Sequence, residues 1–345
     1  MSATKVPAAR GPLSAALIDA LRGPADAPAE RLAALEPGNV HVPLVDDDLQ
    51  LALYLAYELS YRGLPGIDPA HEWNPDVVRF RVGLERRFEA AIRELVPPDD
   101  TAPNDVPTAL RALARDGDGA LSRFLERNAD LEMFREFAIH RSAYHLKEAD
   151  PHSFAIPRLR GASKVALVEI QADEYGGGDA SWMHAALFAQ ALRGLGLDDT
   201  YGAYVPRIPG STLATVNLMS LFGLHRRLRG AAVGHLAMFE LTSTLPNRRY
   251  GNGLRRLGFD EATTRFFDEH VEADAVHEAI AANDLVGGLV ADEPALAPDV
   301  LLGARALLAL DDLAAAAMLE AWRAGRSSLV PTPAADVAEG AGRVA

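Results

Sequence analysis

Asp268-Glu269-His270-Val271-Glu272-Ala273-Asp274-Ala275-Val276-His277 sets two histidines and an aspartate at successive spacings of four and three residues. At 3.6 residues per turn these three side chains share one narrow face of a helix. Two imidazoles and a carboxylate converging from one helix form a hard-to-borderline site suited to iron, manganese or zinc, with no soft ligand. Glu269, Glu272 and Glu278 also give the segment a polar side, so an ordinary solvated helix face is the competing reading.

Helical periodicity continues on both sides of this stretch. Asp46-Asp47-Asp48 before an apolar run from Leu49 predicts a capped helix, and Asn74-Pro75 opens another toward Leu95, ended by Pro97-Pro98. Further helices are expected at Thr108–Arg115, Leu121–Leu146, Ser163–Tyr175, Trp182–Arg193, Ser211–Phe222, His225–Leu245, Glu261–Ala282 and Pro298–Trp322, each bounded by Gly, Pro, Asn or Asp signals. No β-type alternation competes with them, so the fold class is all-α. Gly176-Gly177-Gly178 lacks the preceding strand and following Gly-Lys-Ser/Thr of a phosphate loop and reads as a flexible turn between helices. The expected organisation is an N-terminal arm (1–44), a helical extension (45–100), a main domain (101–330) and a disordered tail (331–345).

Composition narrows the chemistry. Of 345 residues 49% are apolar, enough for a sizeable core, and none is cysteine. That excludes disulfides, thiolate zinc sites, iron–sulfur clusters and cysteine nucleophiles, and leaves His, Asp and Glu to hold any metal. With 48 acidic against 34 basic residues, a net charge of -14 disfavours nucleic acid as a partner. There is no apolar run suited to a signal peptide or a membrane span, and the chain reads as a soluble cytoplasmic protein.

Two further segments carry candidate ligands. Glu174 precedes the triple glycine and His184 follows it, although each also suits an unremarkable helix end. Glu240 lies in the mostly apolar run Val233-Gly234-His235-Leu236-Ala237-Met238-Phe239-Glu240-Leu241, where a carboxylate is buried only with a partner; Thr242, Ser243 and Thr244 leave a surface position open. His140, His145 and His152 cluster upstream, with His145, Glu148 and His152 at helical spacing, and could hold metal; Pro151 interrupts the segment, which favours wall or supporting roles for the three histidines.

Taken in order, Glu174, His184, Glu240 and then His270-x3-Asp274-x2-His277 resemble the ligand set of the heme-oxygenase-like diiron oxidases. Leu146-Lys147-Glu148-Ala149-Asp150-Pro151-His152, Glu169-Ile170-Gln171-Ala172-Asp173-Glu174-Tyr175-Gly176 and Gly325-Arg326-Ser327-Ser328-Leu329 resemble phrases of the same iron-containing redox enzymes, and the likeness covers roughly residues 100 to 330. A ferritin-like bundle would need paired Glu-x-x-His elements, and the sequence contains none. The resemblance implies a heme-oxygenase-like helical bundle with an N-terminal helical extension, holding two Fe2+ ions and no haem. It implies dioxygen as co-substrate, a peroxo-diiron(III) species, and oxidation of a small molecule by N-oxygenation, desaturation or C–C cleavage.

Arg248 and Arg249 could meet a substrate carboxylate, and the substrate expected is a small carboxylic acid of amino-acid type. An external electron donor and a homodimer, with the helices of residues 46–95 stabilising the domain or its dimer, complete these expectations. A thiaminase-like hydrolase on the same bundle and a metal-free assembly protein are the alternatives. Glu148 is a further candidate ligand on grounds of charge: two ferrous ions bring four positive charges, while Glu174, Glu240 and Asp274 supply only three negative ones. Water, hydroxide or a substrate carboxylate would balance the site equally, and Glu148 also suits a solvent-facing helix end.

Overall fold

Asp46 accepts a hydrogen bond from the Leu49 amide at 2.7 Å and starts helix α2, Asp47–Glu58. Asn74 accepts from the Asp76 and Val77 amides, with Pro75 in the first helical turn, and starts α3, Pro75–Leu95. Each cap satisfies amides that the helix cannot, a contribution of about 1 kcal/mol. The computed structural model describes residues 6–26, 32, 35, 40–99, 101–115, 117 and 119–331, with the side chains of 273–276 outside the description. The tail expected beyond Pro331 therefore lies outside the described residues.

Helix α1 spans Pro12–Arg22, and after α3 come α4 (Val106–Arg115), α5 (Ala120–Arg127), α6 (Leu131–His145), α7 (Gly161–Glu174) and α8 (His184–Gly194). The chain continues through α9 (Gly210–Leu224), α10 (Arg229–Arg256), α11 (Glu261–Ala279) and α12 (Ala297–Arg323). Among the described residues there is no strand, and the fold is an all-α bundle. No helix among them is long and apolar enough to cross a membrane.

Three helices differ from their sequence expectation. The stretch Leu121–Leu146 is two helices, because Asp130 caps α6 by accepting from the Met133 amide at 2.9 Å and so breaks the chain after Asn128. The helix expected to end at Leu245 runs through Pro246 to Arg256. An interior proline costs about 3 kcal/mol; packing of the following turns offsets it, with Tyr250 and Leu254 buried and Gly253 close against Phe134 and the Leu125 carbonyl. Finally, α11 stops at Ala279 and continues as a π-helix, Ile280–Val286.

Apolar side chains gather in two clusters. The larger joins Leu17 and Leu21 of α1 and Leu51 and Leu55 of α2 to Leu218, Val233, Leu285, Leu301 and Leu307, so α1 and α2 pack into the same core as the helices that follow. The smaller comprises Phe134, Phe137, Phe188, Phe266, Phe267 and Trp322. Helices α10 and α12 cross at the centre with almost no space between their backbones: a Cβ on Gly234 would lie 1.8 Å from the Val300 carbonyl oxygen, and one on Gly303 2.0 Å from that of Ala231. Gly234→Ala or Gly303→Ala is therefore expected to lower stability by about 3 kcal/mol through forced separation of the helices. Gly287→Ala, where the nearest atom is 3.7 Å away, should leave stability unchanged or raised; urea denaturation of the three variants checks the contrast.

Candidate metal centre

Between the two apolar clusters lies a seam of buried carboxylates and imidazoles. Glu174 is the last residue of α7 and His184 the first of α8; the intervening Gly176, Gly177 and Gly178 all have positive φ and turn the chain back so that these helix ends meet. The result is a separation of 2.8 Å between Glu174 Oε2 and His184 Nδ1. Glu148 follows α6 and accepts a hydrogen bond from His145 Nδ1 at 2.7 Å. Helix α11 brings His270, whose Nδ1 donates to the Phe266 carbonyl at 2.8 Å, which turns Nε2 to within 3.7 Å of Glu148 Oε1. A backbone acceptor on one ring nitrogen fixes the tautomer and aims the other, as in many metal-binding histidines.

Two groups result, in each of which the ligand atoms lie within 4.8 Å of one another: Glu148, Glu174, His184 and His270, and Glu174, Glu240 and His277. Every member is buried, and Glu174 belongs to both. His277 Nδ1 is 3.3 Å from Glu240 Oε2, while its Nε2 faces Asp173 Oδ2 at 3.0 Å. Of the sequence candidates, six are thus brought together; the side chain of Asp274 lies outside the described residues.

Buried polar atoms are normally hydrogen-bonded. Here Glu148 Oε2 is buried without a hydrogen-bond partner, and Glu174 Oε2 and His184 Nδ1 face each other at 2.8 Å but out of line for a regular hydrogen bond. Such atoms, all lone-pair donors of oxygen and nitrogen type, fit a borderline divalent cation such as Fe2+. Without an ion the seam holds protons instead. Burial opposes charge on His277, but the hydrogen bond and charge of Glu240, followed by the charges of Glu174 and Asp173, raise its pKa to about 9. Burial likewise opposes charge on His184, and Glu174 raises it. Burial pushes the Glu240 carboxyl up. On Glu148 burial acts upward too, yet His145 and His270 together hold the carboxyl below its usual range.

A family model described as iron-containing redox enzyme matches residues 135–312, more than half of the chain. The chain belongs to that family. It is also 28% identical over 171 residues to a nitrosourea synthase of Streptomyces achromogenes subsp. streptozoticus, a match covering 48% of this chain and 36% of that protein. The chain thus spans about a third of the length of that relative. The family description places the chain among redox enzymes.

Several contributors to the site carry no sequence signal of their own. Asp173 precedes a candidate ligand on an exposed helix surface and would pass for a solvated residue, but it orients His277. Of the three upstream histidines, His145 hydrogen-bonds Glu148, and His152 lines the small space between Glu148, Glu174 and Glu240. His140 stands apart, bonded to Thr212 and Ser328. Phe188, Phe266 and Phe267 are core residues, whereas Phe239 walls the site. Because Glu240 is the larger source of the upward shift, Glu240→Gln is expected to lower the His277 pKa more than Asp173→Asn does. Histidine NMR titration of the metal-free protein measures the order directly.

Proposed function

We propose that this protein is a non-haem diiron oxidase or oxygenase. The observation that supports the reading is the sharing of Glu174 by two carboxylate–imidazole groups, the arrangement that a bridged pair of cations needs. Glu148, Glu174, His184 and His270 would hold one ion and Glu174, Glu240 and His277 the other, with Asp274 added by the family resemblance. With four carboxylates, two ferrous ions and neutral imidazoles the centre carries no net charge, which removes the cost of burying it. When bound, the ferrous pair supplies the electrons that activate dioxygen for oxidation of the substrate.

The substrate in this reading is a small carboxylic acid of amino-acid type. A cavity of about 1420 Å³ reaches His145 and His270 and is walled by Phe239, Tyr250, Arg141 and Asp311. Arg141 is half-buried beside the ring of Phe137, hydrogen-bonded to Tyr250, with its guanidinium 4.0 Å from Asp311, longer than a hydrogen bond. A planar guanidinium open to a cavity recognises carboxylate bidentately, and Asp311 beside it suits an ammonium group. Arg248 and Arg249, singled out from sequence, line the same cavity. Phe239 and Tyr144 stack edge to face between cavity and carboxylates, and their apolar faces exclude water from the reacting region.

Iron analysis after anaerobic Fe(II) loading should give two ions per chain, and His277→Ala or Asp274→Ala should lower that stoichiometry. An unchanged count in both variants, or no iron in the wild type, contradicts the reading. Arg141→Met should retain iron while abolishing the acceleration of oxygen consumption that a panel of the free amino acids produces in the wild type.

Since the ion must displace the proton held by His277, iron affinity should rise with pH until about 9, by up to roughly tenfold per unit for one proton. The proton stabilises the metal-free state below that pH, so the sign is fixed. A chelator competition series across pH checks it.

A further inference from the structure

The turn that presents Glu148 is held from outside the family-matched region. Its next residue, Ala149, has φ +72°, and among the described residues no other non-glycine has positive φ. An alanine pays for that conformation, so surrounding contacts must impose it. The Ala149 carbonyl accepts from Gln171 Nε2 at 2.7 Å and from the Ser153 amide at 3.1 Å. One residue before the glutamate, Lys147 is fully buried and donates to Glu58 at the end of α2. Tyr201 donates to the other oxygen of Glu58 at 2.6 Å, and the rings of Tyr61 and Tyr54 lie 4.2 and 4.9 Å from the lysine ammonium. One residue earlier still, the Leu146 carbonyl accepts from Arg62 Nη2 at 2.9 Å, and Arg62 is itself stacked 4.3 Å over the Tyr201 ring.

Glu58 and Arg62 thus grip residues 146 and 147 from either side, while Gln171 and Ser153 grip 149. Glu148 is left one backbone orientation, the one that directs its carboxylate at His270 and Glu174. A buried ion pair contributes little net stability compared with an apolar pair of similar volume, but it fixes geometry. Glu58 and Arg62 both precede residue 135, where the family match begins.

We infer that Glu58 and Arg62 are positioning residues for the metal centre: the N-terminal helices set the Glu148 turn, and the affinity and geometry of its ion depend on them. This rests on the reading of Glu148 as a ligand. Glu58→Gln alone strands a buried ammonium and endangers folding, so the informative variants are the charge-free pair Glu58→Gln with Lys147→Met, and Arg62→Met at the exposed edge of the clamp. Glu148→Ala serves as reference.

Iron affinity by chelator competition and the visible d–d spectrum of the Co(II)-substituted protein report the centre, with far-UV circular dichroism and thermal melting reporting the fold. Both clamp variants are expected to keep wild-type helicity. Each should lose about tenfold in affinity for one of the two ions, as loss of a group supporting a ligand typically does, with altered Co(II) bands, and Arg62→Lys should recover part of the loss. Wild-type affinities and bands in Arg62→Met and the charge-free pair, alongside a weakened Glu148→Ala, overturn the positioning role alone. If Glu148→Ala also binds two ions as the wild type does, the ligand reading itself falls and this inference with it.

Discussion

Glu148 and Glu240 are buried on either side of the buried Glu174, each with a carboxylate oxygen within 4.8 Å of it, and the remainder of the molecule is arranged around the positive charge that such proximity demands. Three carboxylates in a poorly solvated interior repel strongly, and each is costly to ionise alone. In the absence of a cation the burden falls on protons: His277 and His184 are pushed toward their charged forms, and Glu240 toward its neutral one. A divalent ion replaces several of these compromises at once. The cluster is therefore costly to bury on its own and gains from a metal.

The fold serves that cluster by placing it between two apolar regions rather than inside either. Tyr144 belongs to the larger core and Phe188 and Phe266 to the smaller, and His145, wedged against both phenylalanine rings, connects them to Glu148. The candidate ligands come from helix ends where the chain reverses, as with Glu174 and His184, and from the interiors of α10 and α11. The tight crossing of α10 on α12 at Gly234 and Gly303 fixes the helix that carries Glu240. A ligand on a long, tightly packed helix has little freedom to adjust, so the turns supplying Glu148 and Glu174 must meet it.

Most of the bundle could be read from sequence because helix caps and apolar spacing are local signals: Asp46, Asn74 and the prolines mark boundaries that the structure keeps. The errors came where tertiary packing overrode such signals. Pro246 reads as a stop, but burial of Tyr250 and Leu254 carries the helix past it; Asp130, inside an apolar pattern, caps a helix that periodicity alone would run together with its predecessor.

The same division holds at the site. His270 and His277 announce themselves by spacing, and the charge count offers Glu148 as one of several ways to balance the site; the structure puts it beside Glu174 and His270. Asp173 and Arg141 do not, because what distinguishes them is the distant residue they face, His277 for one and Asp311 for the other. The clamp of Glu58 on Lys147 spans 89 residues of chain and leaves no local trace.

The π-helix Ile280–Val286, three residues past His277, changes the register of the helix that carries the two histidines. Such a segment corresponds to one residue inserted into an α-helix, and the insertion shifts the angular register of everything before it relative to everything after by about 100°. Ala281, Ala282, Leu285 and Val286 are buried, so the downstream register is fixed by the core. Upstream, Phe266 and Phe267 are seated in the smaller apolar cluster, whereas Ala281, Leu285 and Val286 belong to the larger one. The wider turn therefore lets one continuous helix satisfy two cores of different register, with His270 and His277 carried on the stretch between them.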